Sequence, residues 1–377
     1  MTERLKRFPR LYRKVTDKER ITTYLIYVTE RKDGVCIVNR VSGTLGGVQT
    51  NAPIEVIQGV NLGKANETSI RAQANRVAET VYNRLLDDGY KQTIEELKTE
   101  RTNDKGFILP MLAQKWRGDM LPYWLAQPKL DGARTLTRLV GDKIVQYTRK
   151  AKPLNTLGHL NFPDRLKVLM EEGYIVDGEA YVHGYPFEDF VSAYKAYQKG
   201  ITEQITYMVY DIFHPDKKES QEYRLFSLLA PSVNGLSDNI FFVPSRKVFD
   251  VAEVNKLHDE FVRNGYEGLM LRDPHSSYKP GLRSSSLVKV KRMIDEEFTI
   301  VNVYSAGGKD VGTALFTCAT EDGDTFEVRP QGSFAQRKKY LEDRLELIGA
   351  SATVTYQGMT KYGKPRFPTL KAIRDYE

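Results

Sequence analysis

The chain has 377 residues, enough for two or three domains, with 41% hydrophobic residues and a formal net charge of +7, which favours a polyanionic partner. Two distant cysteines, Cys36 and Cys318, exclude a zinc module and a disulfide framework and fit a reducing compartment. No apolar run approaches the ~20 residues of a membrane span, and the basic N-terminus lacks the apolar stretch of a signal peptide, so a soluble, cytoplasmic protein is expected.

The first twenty residues hold eight Lys or Arg against three Asp or Glu. They read either as a solvated terminus or as an arm that contacts phosphates. Residues 22–28, rich in β-branched and aromatic side chains, predict a strand, and Val35-Cys-Ile-Val38 predicts a second. Residues 59–64 have three residues between glycines where a phosphate loop needs four, and Ala65 stands where Ser or Thr would bind magnesium. They read as a turn. Ile70, Ala74, Val77, Val81 and Leu85 draw one apolar stripe, so a helix is expected. Thr68 or Ser69 can cap it and Gly89 can end it. Residues 97–106 are polar and charged and read as a linker. From Phe298 onward several short strands with Gly turns, and one helical stretch at 334–347, suggest a small barrel such as an OB-fold. The fold class is therefore α+β and multidomain. A small α+β domain with its linker is expected over 1–105, antiparallel sheets with helices over 106–294, and an OB-fold barrel over 295–377.

The chemistry concentrates in the middle. Lys129-Leu-Asp-Gly-Ala-Arg134 follows an apolar run that ends in Pro128. A lysine displayed at a strand end before a tight Gly turn can be a nucleophile, or a plain surface lysine. Gly132 lets the backbone turn at little steric cost. Asp131 either orients waters on a metal or caps the turn. Arg134 offers a planar fork of donors to phosphate or ribose oxygens, or makes an ordinary ion pair. Ile175-Val-Asp-Gly-Glu179 is a strand running into a turn. Residues 207–213 are nearly all apolar and aromatic, a buried strand with Asp211 inside. Glu267 is a second carboxylate on another strand, and two carboxylates with phosphates suit magnesium, which keeps most of its waters. Lys289 and Lys291 alternate in Leu287-Val-Lys-Val-Lys291. A period of two puts them on one face of a strand, where two ammonium groups repel unless an anion lies between them.

This ordered set of motifs resembles the covalent nucleotidyltransferases, and ATP-dependent DNA ligases of the compact viral and phage type most closely. The resemblance covers residues 107–377, from Leu109-Pro-Met-Leu-Ala113 to Pro365-Arg-Phe-Pro368 and Ile373-Arg374. It implies that Lys129 attacks the α-phosphorus of ATP. The amine must then be neutral, although a free lysine has a pKa near ~10.4; desolvation and the nearby cations Arg149, Lys289 and Lys291 favour the uncharged form. The resemblance further implies that Gln127, Arg134, Arg149, Glu179, Tyr210, Lys289 and Lys291 contact ATP together with Lys129, with Lys289 and Lys291 acting in the chemistry. Tyr210 stacks on adenine, while Tyr207 and Phe213 belong to the core. Asp131, Glu179 and Glu267 hold Mg2+. The partner is nicked duplex DNA and the enzyme a monomer. An mRNA guanylyltransferase, an RNA ligase and a nucleic-acid-binding protein with a dead transferase core are the rival readings; the cysteines cannot build the zinc module of an NAD-dependent ligase. The sequence departs from larger ligases in lacking a clear arginine-acid-lysine element near its end, so no residue is assigned to orient pyrophosphate. Residues 1–105 loosely resemble a WGR domain in their strand pattern, the Gly43-to-Gly47 segment and a helix ending in Asp88-Gly-Tyr90. That resemblance implies added DNA affinity without chemistry.

Overall fold

A computed structural model describes the chain except for residues 1–2, 15–19, 62, 98–101, 103–105, 186, 292, 308–309, 361 and 375–377. The chain divides into two compact units, Met1–Val290 and Lys291–Glu377.

The first unit opens with a six-stranded sheet built round Ile21–Glu30. That strand pairs antiparallel with Cys36–Thr44 on one side and with both Glu3–Arg7 and Leu11–Lys14 on the other. The basic N-terminal segment is thus strand rather than arm as far as Lys14. Leu11, 1% exposed, supplies the apolar anchor, and residues 15–19 lie outside the described residues. The helix Ile70–Asp87 buries Ala74, Ala78 and Tyr82 in one core with Ile26, Val28 and Val38. Ser69 caps it by accepting from the Ala72 amide at 3.2 Å. Thr68, the other candidate cap, instead accepts from the Val60 amide. Within residues 59–64, described except for Leu62, the Lys64 amide donates back to the Asn61 carbonyl in a turn. Most of the expected linker at 97–106 lies outside the described residues.

Two further sheets follow. One has six strands in the order Pro153–Leu154, Lys143–Thr148, Ala133–Val140, Ile175–Tyr181, Thr206–Phe213, Ile240–Phe242. The other has five, in the order Arg246–Val248, Trp124–Lys129, Gly268–Arg272, Arg283–Val290, Leu112–Lys115. Pairing is antiparallel except at Thr206–Phe213 with Ile240–Phe242 and at Arg283–Val290 with Leu112–Lys115, which are parallel. Trp124–Lys129 is buried along all but its last residue. Such a strand delivers Lys129 at the edge of a rigid core rather than on a loop.

In the second unit Ile294–Ser305, Ala314–Ala319, Thr325–Pro330, Thr369–Arg374 and Ser351–Tyr356 hydrogen-bond in a closed order. Phe298, Ile300, Phe316, Val328, Val354 and Leu370 fill its core. The helices Phe334–Glu342 and Arg344–Leu347 occupy the expected helical stretch. No helix among the described residues is long and apolar enough to cross a membrane.

Candidate active site

Lys129 ends its strand opposite Gly268. The amide of Glu267 donates to the Lys129 carbonyl at 2.9 Å, which brings the Glu267 carboxylate against the Lys129 amine in a direct ion pair. Both side chains are largely enclosed, at 20% and 11% exposure. Gly132 shows why the turn after Lys129 needs glycine: a Cβ there would lie 2.3 Å from the Ala180 carbonyl and 2.9 Å from the Glu179 side chain. The turn is pressed against the strand that carries Glu179.

Glu179 and Tyr210 sit on neighbouring strands of the six-stranded sheet, and the Tyr210 hydroxyl donates to Glu179 Oε2 at 3.2 Å. Burial pushes the Glu179 carboxyl up to about 7, against the pull of Lys129, Arg134 and the Tyr210 hydrogen bond. The alternation along 207–213 sorts the aromatics as expected. Tyr207 and Phe213 are 0% and 1% exposed, whereas Tyr210 is only partly buried. Two guanidiniums approach its ring, Arg272 at 5.1 Å and Arg134 at 5.9 Å.

Cations converge on the same region. Partial burial lowers the Lys289 amine below its ordinary value, and the charges of Lys129, Arg283 and Arg149 add to that shift. Such mutual repulsion relaxes only when an anion enters. Arg149 is exposed on the turn after Lys143–Thr148.

Several of the expected site residues have partners within the protein. Gln127 is 1% exposed. Its amide donates to the Val243 and Tyr210 carbonyls, and its oxygen accepts from Arg272 Nε at 2.6 Å. The side chain joins the two sheets. Arg134 gives Nε and Nη2 to Asp177 at 2.9 and 2.5 Å, Nη2 also to Tyr278, and Nη1 to the Met111 carbonyl. A guanidinium has five N–H donors, so one remains, and its main work is internal. Lys291 falls one residue past the strand Arg283–Val290 and lies in the second unit, where Nζ donates to Gln357 at 3.2 Å. No group of three His, Cys, Asp or Glu side chains comes together among the described residues, so Asp131, Glu179 and Glu267 do not form a cage. Asp131 acts electrostatically on Tyr181, whose phenol is raised first by burial, then by Tyr266 and Asp131. The donor set still suits a magnesium ion that keeps its waters and shares phosphate oxygens. Glu179 and Glu267 would be its protein partners, and it would supply charge neutralisation.

Sequence reasoning also passed over a buried network behind Tyr210. Asp211, fully buried, accepts from Arg224 Nε at 3.0 Å and from Arg272 Nη1 at 3.1 Å. Burial alone would raise the Asp211 carboxyl, but Arg224 and Arg272 outweigh it and hold it below its ordinary value. The signal was present: a carboxylate inside an apolar strand requires a buried cation, and Arg272 ends another apolar strand.

The chain is similar to known DNA ligases. Residues 110–291 match the model of the ATP dependent DNA ligase domain, and residues 308–374 match that of the DNA ligase OB-like domain. The DNA ligase of African swine fever virus (isolate Pig/Kenya/KEN-50/1950) is 28% identical over 366 residues, covering 90% of this chain and 84% of its own. The DNA ligase of Haemophilus influenzae is 25% identical over 263 residues, covering 69% of this chain and 90% of its own. A solved structure described as "DNA binding with a minimal scaffold: Structure-function analysis of Lig E DNA ligases" shares the fold, with TM-score 0.56 and 22% identity over 71% of this chain and 99% of that one. With both ligase domains matched in order along it, the chain belongs to the family of ATP-dependent DNA ligases.

Proposed function

We propose that Lys129 is the nucleophile of an ATP-dependent nick-sealing reaction. Once the Lys129 ammonium gives up a proton to Glu267, the amine attacks the α-phosphorus of ATP, a nitrogen–phosphorus bond forms, and the bond to pyrophosphate breaks. The adenylate then passes to the 5′-phosphate of a nick, and the 3′-hydroxyl displaces AMP. The observation that carries this reading is the Lys129–Glu267 pair at the end of a buried strand, beside a ring flanked by guanidiniums and a cluster of mutually repelling cations. Glu267 orients the amine. Tyr210 offers its ring to adenine, and Lys289 and Arg149 hold phosphate oxygens. Preorganised charges of this kind act where negative charge develops in the transition state.

The division of labour follows the expected domains. Residues 106–294 carry adenylation. Residues 295–377 form an OB-fold that binds the duplex, and residues 1–105 form a WGR-like module that adds DNA affinity. The run of strands followed by one helix, together with a net charge of +7, supports the last assignment. The protein acts as a monomer in a reducing cytoplasm, which its two buried free thiols suit.

Incubation with labelled ATP, GTP or NAD, followed by a denaturing gel, tests the reading. Wild-type protein should take label from ATP alone, and Lys129→Ala should take none. Full labelling of Lys129→Ala would remove Lys129 as nucleophile, and labelling by GTP alone would favour a capping enzyme.

A further inference from the structure

The N-terminal module is seated beside the turn that carries Arg149. The end of the helix Ile70–Asp87 faces that turn, with Asp88 Oδ1 2.8 Å from Lys150 Nζ and Asp87 Oδ2 3.4 Å from Lys152 Nζ. The carbonyl end of a helix adds a partial negative charge on the same side. Gly89, at φ +85°, completes the seat. A Cβ there would come within 2.4 Å of Leu109 Cδ1, so the helix exit touches the start of the catalytic region.

The turn itself is closed by its own hydrogen bonds around one strained residue. Its Ala151 is 1% exposed and adopts φ 57°, a left-handed conformation that disfavours residues with a Cβ. The Ala151 amide donates to the Thr148 carbonyl at 2.7 Å and the Thr148 amide to the Lys152 carbonyl at 2.8 Å. Arg149 and Lys150 are therefore fixed within a closed loop, with Lys152 at its base. The two lysines that the module grips follow Arg149 at once, on either side of Ala151. The link is also electrostatic: although Arg149 reaches solvent, desolvation by the protein packed around it, with the charges of Arg134 and Arg283, holds it below its ordinary value, and Asp88 acts against that shift.

We infer that Asp87 and Asp88 are positioning residues for nucleotide capture: by gripping Lys150 and Lys152 they set Arg149 against the phosphates of ATP. This rests on the reading of Arg149 as a phosphate ligand. It gives the N-terminal module a part in the adenylation step besides DNA affinity.

The test uses the full chain. Self-adenylation is measured at varied ATP for wild type, for Asp87→Asn with Asp88→Asn, and for Lys150→Ala with Lys152→Ala. Each double variant should raise KM for ATP roughly fivefold, the effect of two exposed ion pairs. The maximal rate should stay within about twofold, because no transition-state contact is removed. Thermal unfolding establishes that each variant is folded, and either pair of substitutions suffices should the other fail to fold. In an Arg149→Ala background both effects should vanish, since residues acting through Arg149 are coupled to it. Exchanging the charges, Asp88→Lys with Lys150→Asp, should bring KM most of the way back. An unchanged KM, a lowered rate with KM unchanged, or an undiminished effect in Arg149→Ala would each overturn the inference. Failure of wild type to label, or labelling that persists in Lys129→Ala, would instead bring down the nucleotidyltransfer reading beneath it.

Discussion

Raising the pH ionises Glu179 in surroundings that resist the charge. Burial moves its carboxyl from the ordinary 4.5 up to about 7. At ~1.4 kcal/mol per unit, the nucleotide-free protein carries a penalty of about 3 kcal/mol once the carboxylate forms. The side chain keeps some contact with solvent, so that figure is a ceiling. The folded-state value lies above the unfolded one. The folded protein therefore holds this proton more tightly than the unfolded chain does, and the resulting stability is fully present below pH 4.5 and lost as pH rises through about 7.

Glu179→Gln keeps an acceptor for the Tyr210 hydroxyl and removes the titration. Urea unfolding can be followed by fluorescence, because both tryptophans, Trp116 and Trp124, lie in the same unit as Glu179. Between about pH 5 and pH 8 wild type should lose up to about 3 kcal/mol relative to Glu179→Gln, most of it before pH 7.5. Saturating ATP with magnesium should close that gap, since a bound cation favours the carboxylate. Calorimetry in buffers of different ionisation enthalpy should then show proton release on ATP binding near neutral pH, absent from the variant. Parallel stability profiles for the two proteins would refute the reasoning.

Two further outcomes are expected. Lys289→Ala should lower the rate of self-adenylation by at least ~3 kcal/mol of transition-state stabilisation, the scale of a preorganised electrostatic group, while leaving the unfolding midpoint near wild type; normal turnover at saturating ATP would make it a bystander. Asp211→Asn should destabilise the first unit by about 3–5 kcal/mol, because Arg224 and Arg272 are left buried without their counter-charge. Its carboxyl is depressed in the folded state, so its contribution is present above the unfolded value and lost as pH falls through the folded one, and wild type and variant should converge in urea unfolding at low pH.

The parts legible in the sequence are those that a local pattern decides. The stripe from Ile70 to Leu85 and its Ser69 cap gave the helix within a residue or two. The strand at 207–213 was visible from composition, and its alternation separated Tyr210 from Tyr207. The N-terminal strands Glu3–Arg7 and Leu11–Lys14 were not legible. Their residues are mostly charged, and only pairing with Ile21–Glu30 makes them strands. The last strand, Thr369–Arg374, escaped for a related reason: it is defined by closing the ring between Ser351–Tyr356 and Thr325–Pro330.

The partners of the candidate site residues were not legible in the sequence, for a physical reason. Motif positions say which residues gather, but side-chain partners decide what each has left to offer. Arg134 and Gln127 both stand in the right place, yet Asp177 and Tyr278 claim most of one, and Arg272, Val243 and Tyr210 claim the other. Those partners lie between 43 and 145 positions away along the chain for the contacts with Asp177 and Arg272. A buried arginine must be paired, so once Asp177 is taken into an apolar strand, Arg134 is committed to it before any nucleotide arrives. Lys129, Lys289 and Arg149 differ in kind. Lys129 is ion-paired with Glu267, while Lys289 and Arg149 are shifted first by desolvation and then by the like charges around them. That electrostatic imbalance marks the groups still able to gain by meeting a triphosphate. It is a property of the folded arrangement, because it depends on the two strands and one turn that bring these cations together.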